Sequence, residues 1–176
     1  MVRSYLLIGF MTALCQPAYG VVFRDKIKQV VGGNSLPLLH DVEDATSVRF
    51  GNPPNLAAQV WKFDTAGFSP DEAVITPSDS HKTLLCEEGS KCKLDPEGTK
   101  QPYLVTRVNE TRPIFTFQDT LSKLYVSRTS DLYLELTSLT SDSIYFELEA
   151  VHGFNANPKP GCIMQISAMQ DLNFDA

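Results

Sequence analysis

The sequence predicts an all-β protein, and two features of the chain support this prediction. Apolar and polar residues alternate in short runs from end to end, and the runs are rich in β-branched or aromatic residues. Gly, Pro, Asn, Asp or Ser bounds each run. No segment shows the apolar stripe of an amphipathic helix over three turns. Many short strands without helices leave a β-sandwich or a closed barrel as the architecture.

The first twenty residues have the layout of a secretory signal. Arg3 supplies the positive charge, Tyr5 to Cys15 is an apolar stretch too short to span a bilayer, and small residues precede residue 21. We therefore expect a signal peptide over 1–20, a secreted mature protein and no membrane insertion.

The predicted strands then follow one another with polar turns between them. In order they are IKQVV, LPLLHDV, SVRF, QVWKFD, AVITPSD, KTLLCEE, PYLVTRV, PIFTFQD, KLYVSRT, LYLELTS and SIYFELEAV. Residues 153–176 form a C-terminal tail that could pack on the domain. Its segment from Cys162 to Leu172 does not decide between helix and strand.

An internal repeat decides between the two architectures. Aromatic-x-apolar triplets close three successive blocks, as WKF at 61–63, FTF at 115–117 and FEL at 146–148. Each block opens with an apolar strand, a polar turn and a second strand centred on leucine. One such unit cannot bury its apolar face alone, so the repeat predicts three units packed around one axis.

The first block resembles the repeat of the ricin-type β-trefoil lectins. Its residues VVGGNSLPLLHDVEDATSVRF lead into Gln59-Val60-Trp61-Lys62-Phe63, and the family repeat runs strand, small turn, leucine-rich strand and Gln-x-Trp-x-Phe. The resemblance implies a β-trefoil domain over 21–152, with three pseudo-repeats of about four strands each. The second and third repeats lack Gln-x-Trp, and the second is expanded by EEGSKCKLDPEGTKQ.

The alternation in QVWKF places Trp61 and Phe63 on one side of their strand. We therefore expect the Trp61 ring in the core. Its indole N–H then needs an acceptor, which a backbone carbonyl or a side-chain amide can supply.

The resemblance also implies a shallow sugar site in the first repeat. In the family, an aspartate, an aromatic ring and an Asn-Gln pair hold the sugar. Asp41, Phe50 and Gln59 stand at three of these positions, and Ala58 replaces the asparagine. A carboxylate can accept two sugar hydroxyls, and an aromatic face can stack on a pyranose. We expect weak, lectin-like binding of glycans or glycoproteins, in which Asp41 accepts from the sugar hydroxyls, Phe50 stacks on the ring and Gln59 forms a secondary hydrogen bond.

These residues also allow a purely structural interpretation. In that case Asp41 belongs to a solvated acidic turn, Phe50 to the core, and Gln59 binds backbone groups. The acidic residues Asp41, Glu43 and Asp44 do not match the spacing of a calcium-binding loop.

Three cysteines remain after the signal, an odd number for an oxidising compartment. Cys86 and Cys92 flank EEGSK, whose glycine can form a turn. The spacing favours a disulfide across a hairpin, although spacing alone does not fix the pairing. Cys162 is then free or intermolecular. Asn109 begins an N-x-T acceptor for N-glycosylation if the host is eukaryotic.

The composition argues against several partners and reactions. Removing Arg3 leaves 14 of the 15 basic residues against 21 acidic residues, a formal charge of −7. No Lys/Arg cluster interrupts this balance, which argues against nucleic acid and anionic membranes as partners. The histidines are scattered, and no H-E-x-x-H, C-x-x-C, G-x-S-x-G or phosphate-loop motif is present. We expect no enzyme, metal or other cofactor.

Two other functions remain open at this level. An exposed loop on a rigid barrel can inhibit a protease, and the expanded loop Glu87 to Gln101 is the candidate, with Lys91 or Lys93 facing a trypsin-like pocket. The same expansion could be a tolerated surface insertion. The protein could also be an effector or scaffold without a sugar site.

Overall fold

The computed structural model describes residues 22–40 and 46–151 of the chain. The predicted signal peptide over 1–20 and the tail over 153–176 lie outside these ranges. Within them the strands are β1 (Val22–Val31), β2 (Asn34–His40), β3 (Val48–Phe50), β4 (Trp61–Asp64), β5 (Glu72–Pro77), β6 (Thr83–Leu85), β7 (Lys93–Asp95), β8 (Pro102–Arg107), β9 (Ile114–Asp119), β10 (Tyr125–Arg128), β11 (Leu134–Thr137) and β12 (Phe146–Ala150). Short 3₁₀ turns, Ala57–Gln59 and Asp142–Ile144, precede β4 and β12.

Six strands close into an antiparallel barrel. β1 pairs with β4, β4 with β5, β5 with β8, β8 with β9, and β9 with β12, which returns to β1. The other strands form three hairpins, β2–β3, β6–β7 and β10–β11. The prediction of an all-β fold is confirmed. The closed ring, which leaves no barrel strand with an open edge, decides for the barrel over the sandwich.

The strands divide into three units of four, β1–β4, β5–β8 and β9–β12. Equivalent contacts join the hairpins of neighbouring units. The Phe50 N–H donates to the Leu132 carbonyl at 2.8 Å, and the Leu94 N–H donates to the Thr46 carbonyl at 2.8 Å. Isolated bridges also pair residue 49 with 133 and residue 91 with 135. These repeated contacts give the three hairpins a pseudo-threefold arrangement.

The second repeat ends earlier than the sequence predicts. The triplet at 115–117 lies in β9, so it opens the third repeat instead of closing the second. The second repeat closes with β8. There the residues QPY at 101–103 take the place of QVW at 59–61, because Tyr103 pairs with β5 as Trp61 pairs with β1.

The core is built around the aromatic residues of the closing strands. Trp61, Tyr103 and Phe146 are fully buried. As predicted, Trp61 lies in the core, where its indole N–H donates to the Leu38 carbonyl at 2.9 Å. The Tyr103 hydroxyl donates to the Leu84 carbonyl at 3.3 Å, at the equivalent place in the second repeat. Burying each such ring contributes on the order of 2 to 3 kcal/mol before entropy is counted.

Candidate functional site

The structure corrects one member of the predicted first-repeat site. Phe50 ends β3 with none of its surface exposed, and its ring is stacked on Phe146 with the centroids 6.2 Å apart. A ring without an exposed face cannot stack on a sugar, so Phe50 is a core residue and not a sugar platform. The short strand alternates, and Val48 and Phe50 both point inward.

The other two members are placed differently. Asp41 lies outside the described residues. Gln59 is half-buried at the end of the 3₁₀ turn, and its backbone N–H donates to the Leu56 carbonyl at 3.3 Å. In the same turn the Ala57 carbonyl lies 3.0 Å from Nε2 of His40. The turn therefore sits beside the end of β2, where Asp41 follows in the chain.

The second repeat contains a form of the family motif that the sequence interpretation missed. The Cys86 N–H donates to Oε1 of Gln101 at 2.7 Å, and Nε2 of Gln101 donates to the Cys86 carbonyl at 2.9 Å. The same Nε2 donates to Oδ1 of Asp119 at 2.8 Å. These bonds give Gln101 a structural role. Its spacing to Tyr103, as Gln-x-aromatic, is the signal that could have revealed it.

An open polar depression of about 410 Å³ lies in the third repeat, at the place that corresponds to the predicted site. By the equivalence of the hairpins, Thr129 takes the place of Asp41 and Ser143 that of Ala58. The end of β10, β11 and the segment before the second 3₁₀ turn supply most of its lining. Six of the lining side chains carry hydroxyl groups, namely Ser127, Thr129, Ser130, Thr137, Ser141 and Ser143.

Gln29, a buried residue of β1, fixes one wall of this depression. Its Nε2 donates to the carbonyls of Ser143 at 2.9 Å and Tyr145 at 3.0 Å, and its Oε1 accepts from Nε of Arg128 at 2.5 Å. The hydroxyls of Ser127 and Ser143 lie 2.7 Å apart. The wall is therefore held by the first repeat through specific hydrogen bonds.

Asp131 is a charged residue in the lining of the depression. Its Oδ2 accepts from Nζ of Lys91 at 2.5 Å, and its Oδ1 accepts from the Thr129 hydroxyl at 2.6 Å. The hydrogen bond from Lys91, with that from Thr129, holds the pKa of Asp131 below its usual range. Because each carboxylate oxygen has two acceptor sites, the ionised group can still accept a further hydroxyl.

The segment from 87 to 101 is not a free loop. It contains β7, which pairs with β6, and a disulfide joins Cys86 to Cys92, which confirms the predicted bridge. Lys91 contacts Asp131, and Nζ of Lys93 lies 3.9 Å from Oε2 of Glu87. An inhibitory loop presents an extended segment to a protease, and residues 93–95 of this segment are already paired with β6.

Asn109 lies exposed in the turn between β8 and β9. Its Oδ1 accepts from the N–H of Thr111 at 3.0 Å and from the N–H of Arg112 at 2.8 Å. The predicted glycosylation acceptor is therefore on the surface.

Residues 22–40 and 46–151 lack two kinds of feature. No helix there is long and apolar enough to cross a membrane. No group of three His, Cys, Asp or Glu side chains converges there on a possible metal position.

No protein-family model and no curated protein matches the chain. Solved structures do match it. SeviL bound to asialo-GM1 saccharide superposes with a TM-score of 0.59 at 13% identity, covering 75% of this chain and 100% of that one. A ricin B-like lectin of Macrolepiota procera in complex with lactose gives 0.57 at 12% identity, covering 73% and 95%.

A designed threefold symmetric protein, ThreeFoil, gives a TM-score of 0.55 at 14% identity, covering 73% of this chain and 99% of that one. At these identities the likeness concerns the fold. The closed six-strand barrel and its three hairpins agree with it. The chain therefore has a divergent ricin-type β-trefoil fold.

Proposed function

We propose that this protein binds carbohydrate through the polar depression of the third repeat. The observation that carries the proposal is the depression itself, an open surface rich in hydroxyl groups at the place in the third repeat that is equivalent to the predicted site of the first repeat. Two of the similar structures are named with a bound saccharide, which supports the same assignment.

The lining offers the contacts that a sugar needs. Serine and threonine hydroxyls both donate and accept hydrogen bonds, and the carboxylates of Asp131 and Glu135 accept from sugar hydroxyls. Leu139, which is 72% exposed, can contact the apolar C–H face of a pyranose. A shallow site of this kind binds one sugar with millimolar affinity, about −4 kcal/mol, so useful binding requires several sites or copies.

Asp41 and Gln59 of the first repeat are the second candidate site, because their chain positions match the family pattern. The buried Phe50 leaves that site without its stacking ring. The proposal includes export through the predicted signal over 1–20. The bridge between Cys86 and Cys92 supports an oxidising compartment.

The test is a glycan array followed by a two-dimensional NMR titration with lactose. Asp131→Ala should weaken binding by up to about fivefold, the largest factor expected for one exposed charged contact. Glu87→Ala is the matched control, because Glu87 holds the position of Asp41 in the second repeat and lines no part of the depression.

Each alternative has its own outcome. Loss of binding in Asp41→Ala but not in Asp131→Ala would move the site to the first repeat. An array without any signal would reject carbohydrate binding. Inhibition of trypsin by micromolar protein would favour the protease inhibitor instead.

A further inference from the structure

The third-repeat depression is not built by the third repeat alone. Lys91, which belongs to the second repeat, also lines it. The disulfide between Cys86 and Cys92 closes the loop that carries this lysine, one residue before the second cysteine. A loop closed in this way has few conformations, so its side chains are presented with little entropy left to lose.

The closed loop docks on the third repeat through both backbone and side chain. The Cys92 N–H donates to the Leu134 carbonyl at 2.8 Å, and the backbones of residues 91 and 135 pair in an isolated antiparallel β-bridge. Nζ of Lys91 donates to Oδ2 of Asp131 and lies 3.7 Å from the centroid of the Tyr133 ring. One lysine thus contacts two residues of the turn between β10 and β11.

That turn holds one residue in a strained backbone conformation. Leu132 has a φ of 72°, in the left-handed region where a side chain costs about 1 kcal/mol or more. Within the turn, the Leu132 N–H donates to the Thr129 carbonyl at 3.1 Å, and the Thr129 N–H donates to the Tyr133 carbonyl at 2.9 Å. Lys91 contacts the carboxylate of Asp131 and the ring of Tyr133, the two residues on either side of Leu132.

We propose that Lys91 is a positioning residue of the third-repeat site, held in place by the disulfide-closed loop of the second repeat. It fixes the carboxylate of Asp131, which lines the depression, and packs over the ring of Tyr133 in the same turn. This inference rests on the proposed carbohydrate binding. It makes the site a composite of two repeats, because the disulfide-closed loop of the second repeat contributes Lys91 to the depression of the third.

The test compares three single variants. Lys91→Met keeps an unbranched side chain that is one atom shorter and removes its charge, Lys91→Arg keeps the charge, and Lys93→Met is the matched control. The side chains of Lys91 and Lys93 are 52% and 53% exposed, but Lys93 does not line the depression. The readouts are lactose affinity and the ¹³C titration of the Asp131 carboxyl group.

Lys91→Met should weaken lactose binding about fivefold, the factor that an exposed ion pair can supply. It should also raise the pKa of Asp131 toward its usual range. Lys91→Arg should leave the lactose affinity and the pKa of Asp131 near their wild-type values, and Lys93→Met should change neither quantity. Wild-type affinity in Lys91→Met, or an equal loss in Lys93→Met, would overturn the inference.

Replacing both Cys86 and Cys92 with serine tests the role of the loop. Where the NMR spectrum shows a folded protein, the same loss of affinity and the same change at Asp131 are expected, and wild-type behaviour would contradict them. If wild-type protein binds no glycan, the proposed function fails and the inference with it. If wild-type protein binds and Lys91→Met binds equally well, only the inference fails.

Discussion

At the scale of single residues, Asp25 is the clearest source of pH dependence. It lies on β1 opposite Trp61 and is 9% exposed. Burial raises its pKa to about 6 from 3.8. The folded protein therefore holds a proton that the unfolded chain releases near pH 4, so this contribution to stability is present below pH 4 and is lost as the pH rises through 6.

We predict that Asp25→Asn stabilises the protein at pH 7. The amide avoids the buried charge, and the gain should be on the order of 2 to 3 kcal/mol. Urea unfolding at pH 4 and pH 7 measures it, and the difference between wild type and variant should nearly vanish at the lower pH. An Asp25→Asn variant that is less stable than wild type at both pH values would contradict the prediction.

At the scale of elements, the second 3₁₀ turn depends on a strand far away in sequence. Gln29 on β1 donates to carbonyls at both ends of that turn and also accepts from Arg128. The side chain is 5% exposed, so water does not easily replace these bonds.

We predict that Gln29→Met lowers the free energy of unfolding by about 2 to 3 kcal/mol, because buried carbonyls and the Arg128 guanidinium lose their partner. Hydrogen exchange should quicken at amides 141–145 before the barrel strands change. Gln118→Met is the control, since the Gln118 amide donates to one carbonyl at an exposed position. Equal effects of the two variants would show that Gln29 has no special role.

At the scale of the whole molecule, the threefold repeat could be predicted from the first repeat, which contains the complete Gln-x-Trp-x-Phe motif. Trp61 could be placed because the alternation around it and Gln59 both match the family pattern. The end of the second repeat could not, because Tyr103 replaces tryptophan while β9 repeats the aromatic alternation. The inward side of β3 was equally hidden, since three residues carry too little periodicity to show which face Phe50 takes.

The third-repeat depression was hidden for another reason. Lys91 and Gln29, which shape it, come from the second and first repeats. Contacts between residues so far apart in sequence leave no periodic signal. The pattern of apolar and polar residues can therefore locate a strand, but it cannot show which distant residues pack beside the end of that strand.

Export of the whole chain is a further prediction. Expression of all 176 residues in a eukaryotic secretory cell should give protein in the medium that begins at Val21. It should carry a glycan at the exposed Asn109, removable by an N-glycosidase. Thr111→Ala should abolish the glycan without blocking export. Protein retained inside the cell with residues 1–20 attached would contradict the prediction.

The pairing of β12 with β1 brings the ends of the described domain together. The Val151 N–H donates to the Arg24 carbonyl at 3.2 Å, so the first and last strands are neighbours although the chain between them visits every other strand. The closed barrel could therefore be built from a chain that begins at a different strand. A circular permutant that joins residues 22 and 151 through a short linker and begins at β5 should assemble the same barrel with its repeats in rotated order.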